Sequence, residues 1–307
     1  MATSLKSLIH ALQQHPSLAA GFLPGLGLSG GLDSMVLATA LHQADIPFRA
    51  LHFNHNWRGA QSRQDQQFVR NWCQHRKIPF TTRTWQRPAR SEAAARQARH
   101  SFFHKTVEKY QLDAVLLAHH RNDLTETFLL QLLRGSGPEG LASLLPERTV
   151  NGLKLVRPLL QVTRADLEKI ARDEKILWRE DTSNTDESFA RNKIRHRILP
   201  YLQKHSQRDP LPLLSRTADI LAIENDYWQQ LMPQHLPEKL PVKLLLSRHI
   251  AYQRRLIQTW LQQSTGARPT YEETESVRTL LTRTSPAKVN LKQGRFCRRR
   301  AGLLFIQ

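Results

Sequence analysis

The chain has 307 residues, 40% of them hydrophobic, and 45 Lys+Arg against 26 Asp+Glu give a formal net charge of +19. That length accommodates two domains with packed cores, and so large a basic excess points to a polyanionic partner, nucleic acid before anionic membrane, over a merely basic surface. Only Cys73 and Cys297 occur, far apart and in no C-x-x-C, which argues against a disulfide framework, a zinc ribbon or a cysteine-ligated cluster and suits a reducing, cytoplasmic compartment.

Residues 1–15 hold a single Lys and no long apolar core, so no signal peptide is expected. No stretch reaches the roughly 18 consecutive apolar residues that a membrane span needs. Leu5, Leu8, Ile9 and Leu12 follow Ser4 with the spacing of an amphipathic helix behind a serine cap. Residues 22–28 form a first strand, although Pro24, Gly25 and Gly27 are poor strand formers. Helix is expected over 33–42, strand over 48–53, helix over 61–75, strand over 78–84 and a long helix over 91–110, capped by Ser91. The apolar run Asp113 to Ala118 suits a strand covered on both faces, and a helix follows over 123–134. This alternation predicts a Rossmann-like α/β fold, a parallel sheet with helices on both faces. The loops at 28–34, 52–58 and 119–123 all follow strand ends, so they should share the rim where such sheets bind ligands.

Residues 135–140 read as a flexible glycine loop. Helices are expected over 164–175, 189–202 and 211–231, and the spacing of Pro233, Pro237 and Pro241 suggests a linker. Helices over 247–263 and 271–282, then short strands over 288–291, 296–300 and 303–306, make a small α+β second domain. The boundary is placed between 210 and 211.

Leu28-Ser29-Gly30-Gly31-Leu32-Asp33-Ser34 is the stretch that carries chemistry. Adjacent glycines permit positive φ and close approach of an anion, and the following helix offers unpaired N–H groups and its positive dipole end. A carboxylate in a phosphate cradle repels phosphate unless a cation intervenes, so Asp33 suggests Mg²⁺ beside a nucleotide phosphate. The plain alternative is a Gly-Gly turn capped by Asp33 or Ser34. Neither a Walker loop nor a Gly-x-Gly-x-x-Gly is present.

Ser29–Ser34 resembles the Ser-Gly-Gly-x-Asp-Ser loop of the PP-loop ATP-pyrophosphatases, which implies ATP cleavage between the α- and β-phosphates. Beyond it, His52-Phe53-Asn54-His55-Asn56-Trp57-Arg58-Gly59 resembles the His-x-Asn-His-x-x-Arg-Gly stretch of the tRNA(Ile)-lysidine synthetase family. The likeness continues through Arg96–Phe103, Ala118-His119-His120 with Asp123 and Glu126-Thr127, Leu133–Gly137, Arg157-Pro158-Leu159, Asp181–Asn184 and Arg191-Asn192-x-Ile194-Arg195. It covers roughly residues 20–205, and the length fits the family's short form with one C-terminal domain. The family ligates L-lysine to C2 of the wobble cytidine of the CAU-anticodon isoleucine tRNA, through an adenylated intermediate, and precedent leans to a homodimer.

The resemblance implies roles by position. Ser29, Gly30, Gly31, Leu32, Asp33 and Ser34 would cradle ATP, with Asp33 on Mg²⁺. Arg99 would contact phosphate; an exposed helix arginine is its plain alternative. Asp123 and Glu126 lie three apart on one helix face and would hold the lysine ammonium, unless they merely complement the helix dipole. His119 would meet phosphate or cytidine, or be structural. Arg191 and Arg195, at i and i+4, would reach the adenylate phosphate and the tRNA backbone, or form a solvated basic face. Arg295, Arg298, Arg299 and Arg300 around Phe296 suggest a phosphate-tracking surface for tRNA. The family's His-His-x-Asp-Asp-Gln-x-Glu-Thr departs here at Asn122 and Leu124, so Asn122 is not expected to ligate metal. Competing expectations are a base thiolase of the same fold, which would need a reactive cysteine or cluster, and a non-catalytic RNA-binding protein.

Overall fold

The computed structural model describes residues 4–86, 89, 91–142, 144–180, 190–282, 288–292 and 294–307. The Asp181–Asn184 motif and the expected helix start at 189 lie outside them. The chain divides into two compact units, residues 1–222 and 223–307.

The first unit runs α1 (Leu5–Gln13), β1 (Gly25–Gly27), α2 (Leu32–Gln43), β2 (Arg49–Asn54), α3 (Ala60–His75), β3 (Phe80–Thr84), α4 (Glu92–Tyr110), β4 (Val115–Leu116) and α5 (Arg121–Leu133). It continues with α6 (Pro138–Leu141), the strands β5 (Glu147–Val150) and β6 (Leu153–Val156), α7 (Arg164–Asp173), α8 (Ala190–Lys193), a π-helical turn (Ile194–Ile198) and α9 (Leu199–His205). The six strands are ordered β3-β2-β1-β4-β6-β5, parallel except for the β5 edge. The strand order reverses between β1 and β4, and ligands of open α/β sheets bind at such a switch point.

β1 needs its glycines. A Cβ on Gly25 would meet the Leu51 side chain at 2.6 Å, because β2 packs hard against the central strand there. The low strand propensity is therefore offset by fit, and β1 keeps only three residues. Leu26, Met35, Leu37, Leu41, Ala50 and Leu116 form the core on the face of α1, α2, α3 and α7. Phe102, Phe103, Leu51, Val115 and Leu155 form a second core beneath α4.

Two elements correct the sequence reading. Pro138–Leu141 is a helical turn inside the expected loop, opened by a proline at its start. The β5–β6 hairpin fills residues 147–156, which carried no expected element; Asn151 and Gly152 turn it with φ of 50° and 80°.

The unit division falls inside α10 (Pro210–Leu231), the helix with which the second domain was expected to begin. The second unit then holds β7 (Leu240–Pro241), α11 (Lys243–Leu246), α12 (Ile250–Thr265), α13 (Tyr271–Thr279), β8 (Lys288–Asn290), β9 (Phe296–Arg300) and β10 (Leu303–Ile306). Its antiparallel sheet is ordered β7-β10-β9-β8. The proline stretch is no free linker: Pro241 sits in β7, and the buried Trp260 indole donates to the carbonyls of Pro237 and Glu238. Among the described residues no helix is long and apolar enough to cross a membrane.

Candidate active site

The loop between β1 and α2 is preformed. Gly30 takes φ +92°, and a Cβ there would press on Val69 at 3.1 Å, so both conformation and space require glycine. Gly31 adopts ordinary extended angles as the α2 cap residue, so only one of the pair uses its freedom. Ser34 Oγ donates to the Gly31 carbonyl at 2.9 Å and lies 3.1 Å from Ser29 Oγ, which accepts from the Gly31 N–H. The serines thus hold the loop closed on itself. No side chain caps α2, leaving its first N–H groups to an anion.

Asp33 sits in the first turn of α2, and its Oδ1 is buried without a hydrogen-bond partner. Its Oδ2 lies 3.4 Å from Arg164 Nη1 and 3.6 Å from His120 Nε2. Burial raises its pKa, outweighing the opposing pull of His120 and Arg164. A buried carboxylate oxygen with no donor suits a hard cation, so the residues present fit Mg²⁺.

His120, buried at the end of β4, joins this loop to α5. Its Nε2 is 3.6 Å from Asp33 Oδ2 and equally 3.6 Å from Asp123 Oδ2, while its backbone N–H donates to Asp123 Oδ2 at 2.9 Å. Asp123 and Glu126 share a buried face of α5 as their spacing predicts, with Glu126 only 1% exposed. Burial alone would push the Asp123 carboxyl up, but His120, Arg191 and His119 hold it far below the usual carboxylate range. It stays charged at any working pH.

The carboxylates are not free. Arg191 donates to Asp123 Oδ1 and Glu126 Oε2, both at 2.8 Å, and Arg195 to Glu126 Oε1 at 2.6 Å and Oε2 at 3.0 Å. The residues expected to hold lysine and those expected to reach phosphate and tRNA are therefore each other's partners. Arg191 and Arg195 leave α8 and the π-helical turn toward α5 because buried acids demand paired charge.

Arg99 and His119 complete the site from α4 and the end of β4. Arg99 Nε is buried without a hydrogen-bond partner, and burial beside Arg96 and Arg191 lowers its pKa to about 10. A charged donor left open among other cations suits an anion. His119 accepts at Nδ1 from Arg157 Nε at 3.2 Å, and Arg157 also donates to the Leu145 carbonyl at 2.7 Å. That bond puts the imidazole proton on Nε2. Burial, with Arg157, Arg191 and Arg99 outweighing Asp123, lowers the His119 pKa to about 3. His119 is thus a neutral hydrogen-bond donor and not a proton shuttle near neutrality. We expect kcat to show no acid limb from His119 between about pH 5.5 and 8. A limb near pH 6.5 that vanishes in His119→Asn contradicts the assignment.

Sequence reasoning did not single out His120, Arg157 or Arg164 as site residues, although the first two stood inside quoted motifs. Asn122 has a structural task, accepting from the Arg164 N–H at 3.0 Å and so tying α5 to α7. Leu124 packs in a core with Phe128, Leu160 and Ala218. In the second unit the basic run resolves by strand alternation. Arg299 donates to the Leu280 and Leu281 carbonyls behind α13, and Arg295 donates to the Thr265 carbonyl. Arg298 and Arg300 are exposed, and Arg295 and Arg299 are half-buried.

Residues 4–202 match the PP-loop domain family and residues 240–305 the TilS substrate binding domain. A tRNA(Ile)-lysidine synthase of Gloeobacter violaceus is 36% identical over 290 residues, 87% of this chain and 88% of that protein. The chain belongs to the tRNA(Ile)-lysidine synthase family. A synthase of Solibacter usitatus is also 36% identical, over 81% of this chain and 58% of its own. One from Clostridium acetobutylicum is 32% identical over 67% and 46%, so the chain spans about half the length of these two lysidine synthases. Among solved structures, a U34-tRNA thiolase from Methanococcus maripaludis with its [4Fe-4S] cluster superposes with a TM-score of 0.58 at 12% identity, over 76% of this chain and 80% of that one, a likeness of fold. The lysidine-synthase family is a PP-loop family, which implies use of ATP.

Proposed function

We propose that the protein ligates L-lysine to C2 of the wobble cytidine of a CAU-anticodon isoleucine tRNA, consuming ATP and releasing pyrophosphate and then AMP. One observation carries this reading. His120 stands 3.6 Å from both Asp33 and Asp123, so the phosphate loop and a carboxylate pair fit for an ammonium form one site. Family membership supports tRNA as the substrate.

The residues suit both half-reactions. As the cytidine O2 attacks the α-phosphate, charge grows on the leaving pyrophosphate, where the α2 N-terminus and Arg99 stabilise it. Asp33 would hold Mg²⁺, which supplies neutralisation of phosphate charge when bound. His119 offers its Nε2–H to an oxygen of the adenylated base. Asp123, held ionised, binds the lysine ammonium by charge and is too weak a base to accept its proton at neutral pH, so the amine gives that proton to solvent before its nitrogen attacks C2 and the C2–O bond to AMP breaks. Lysine entry requires Arg191 or Arg195 to yield a carboxylate oxygen.

Base thiolation finds no support. Cys73 and Cys297 are buried, and burial pushes both thiols up to about 12, whereas a sulfur-carrying cysteine needs an accessible thiolate.

The test is one incubation of protein, ATP, Mg²⁺ and labelled lysine with the CAU-anticodon transcript. Lysine is expected on the RNA; its absence beside an active control enzyme overturns the reading. RNA affinity is expected to fall linearly in log Kd against log salt, and a flat titration contradicts the basic surface as its platform.

A further inference from the structure

His52 and Phe53 are successive residues of β2, so their side chains leave opposite faces of the sheet. His52 turns toward the ATP loop, its Nδ1 2.8 Å from the Leu28 carbonyl oxygen. Phe53 turns toward α4, its ring 5.7 Å from that of Phe102. On this second face the ends of β2 and β3 and the outer side of α4 border a cavity of about 690 Å³. Phe53, Trp85, Arg83, Gln86, Ala98 and Ser101 line it. Nothing described for catalysis uses it.

Its chemistry is specific. Phe53 and Trp85 pack with centroids 6.5 Å apart, and His55 meets Phe53 edge-on at 4.8 Å. Trp57 extends the cluster outward, 5.3 Å from His55 and 36% exposed. Arg83 and Gln86 are exposed at the mouth. Aromatic faces, one guanidinium and one amide at an open rim are what proteins use for unstacked bases of single-stranded RNA. Phe53 and Trp57 also occupy positions that His-x-Asn-His-x-x-Arg-Gly leaves unspecified, so the platform is not a requirement of that motif. Ala98 and Ser101 belong to α4, the helix that also carries Arg99.

We infer that this cavity takes an unpaired base of the RNA substrate next to the reacting cytidine, stacked on Trp85 with its edge against Phe53 and with Arg83 toward its phosphate. The inference rests on RNA being the substrate and adds a second base-binding site to it. The adenine of ATP is the competing occupant. Against it, α2 with its phosphate-facing end packs on the other face of the sheet, and the aromatic cluster runs outward to Trp57, as suits a polymer.

Binding of an anticodon stem-loop RNA and of ATP to the full chain distinguishes them. Trp85→Ala is expected to raise the RNA Kd about tenfold or more, the value of one base stack, with the ATP Kd unchanged and Trp85→Phe restoring most of the loss. Trp57→Ala is expected to weaken RNA binding less. An abasic nucleotide at one position flanking the wobble base is expected to weaken the wild type similarly and Trp85→Ala not at all, because both remove the same stack. Additive losses at every abasic position overturn the inference, as does a Trp85→Ala defect in ATP affinity alone. Failure of wild-type lysine transfer with the coupling intact refutes the proposed reaction and not the base site.

Discussion

Asp33→Asn is expected to abolish pyrophosphate release while leaving the fold intact. The substitution keeps the shape of the side chain but removes the negative charge that fits Mg²⁺ beside the buried Oδ1, which has no hydrogen-bond partner. Loss of one electrostatic element aimed at a transferring phosphoryl group costs about 10²–10³ in rate, and loss of the metal as well costs more. Pyrophosphate release measured with ATP and RNA, without lysine, isolates the step. A rate within about tenfold of wild type contradicts the role given to Asp33.

Stability should move the other way. The Asp33 pKa is raised above its ordinary 3.8, with burial the largest cause. An acid shifted upward stabilises the fold only below its unfolded pKa, and that contribution is lost as pH rises through the folded pKa. At pH 7.5 the charged carboxyl therefore opposes folding of the ligand-free protein, and asparagine removes the opposition. Asp33→Asn is expected to melt no lower than wild type at pH 7.5, with any gain shrinking toward pH 4. A clear fall in Tm would show that the His120 and Arg164 contacts outweigh burial. Function here works against stability, as sites that concentrate charge commonly do.

The parts of this site that sequence made legible are those built from local rules. Leu28–Ser34 sits between a strand and a helix, and its loop-closing serines and positive-φ glycine follow from turn chemistry within seven residues. Asp123 and Glu126 share a face because a helix forces it. The β5–β6 hairpin was equally local: Asn151-Gly152 is the strongest short hairpin signal, and it stood unread because Glu147 and Arg148 break the apolar alternation beside it. What no spacing could reveal is pairing across the chain. Arg191 and Asp123 lie 68 residues apart, and Arg157 and His119 38 apart. Such partners are chosen by burial of unlike charges after the sheet has formed, so composition names the candidates and only the fold matches them. The same limit explains Arg299: its strand parity turns it inward to two helix-end carbonyls, which the basic run conceals.

The Glu126–Arg195 pair yields a reciprocal expectation. All four oxygens of Asp123 and Glu126 have donors: Arg191 and Arg195 on three, the His120 N–H on the fourth. A lysine ammonium entering this site competes with guanidinium groups for the same oxygens. Glu126→Ala leaves two arginines facing a single carboxylate and is expected to cost about 3 kcal/mol of stability, the low end for breaking a buried pair, because both arginines keep partial solvent access. Glu126→Gln keeps the packing, and is expected to raise the lysine KM by about 10²-fold with pyrophosphate release nearly unchanged. Arg195→Ala removes the competitor from Oε1 without touching Asp33 or Arg99, so the lysine KM is expected to fall about fivefold. Lysine-dependent AMP release from preformed adenylated RNA reads both variants apart from the first step. If Arg195→Ala instead raises the lysine KM, the guanidinium shapes the amine site and does not compete for it. If Glu126→Gln leaves KM unchanged, the carboxylates serve the arginines alone and lysine binds elsewhere.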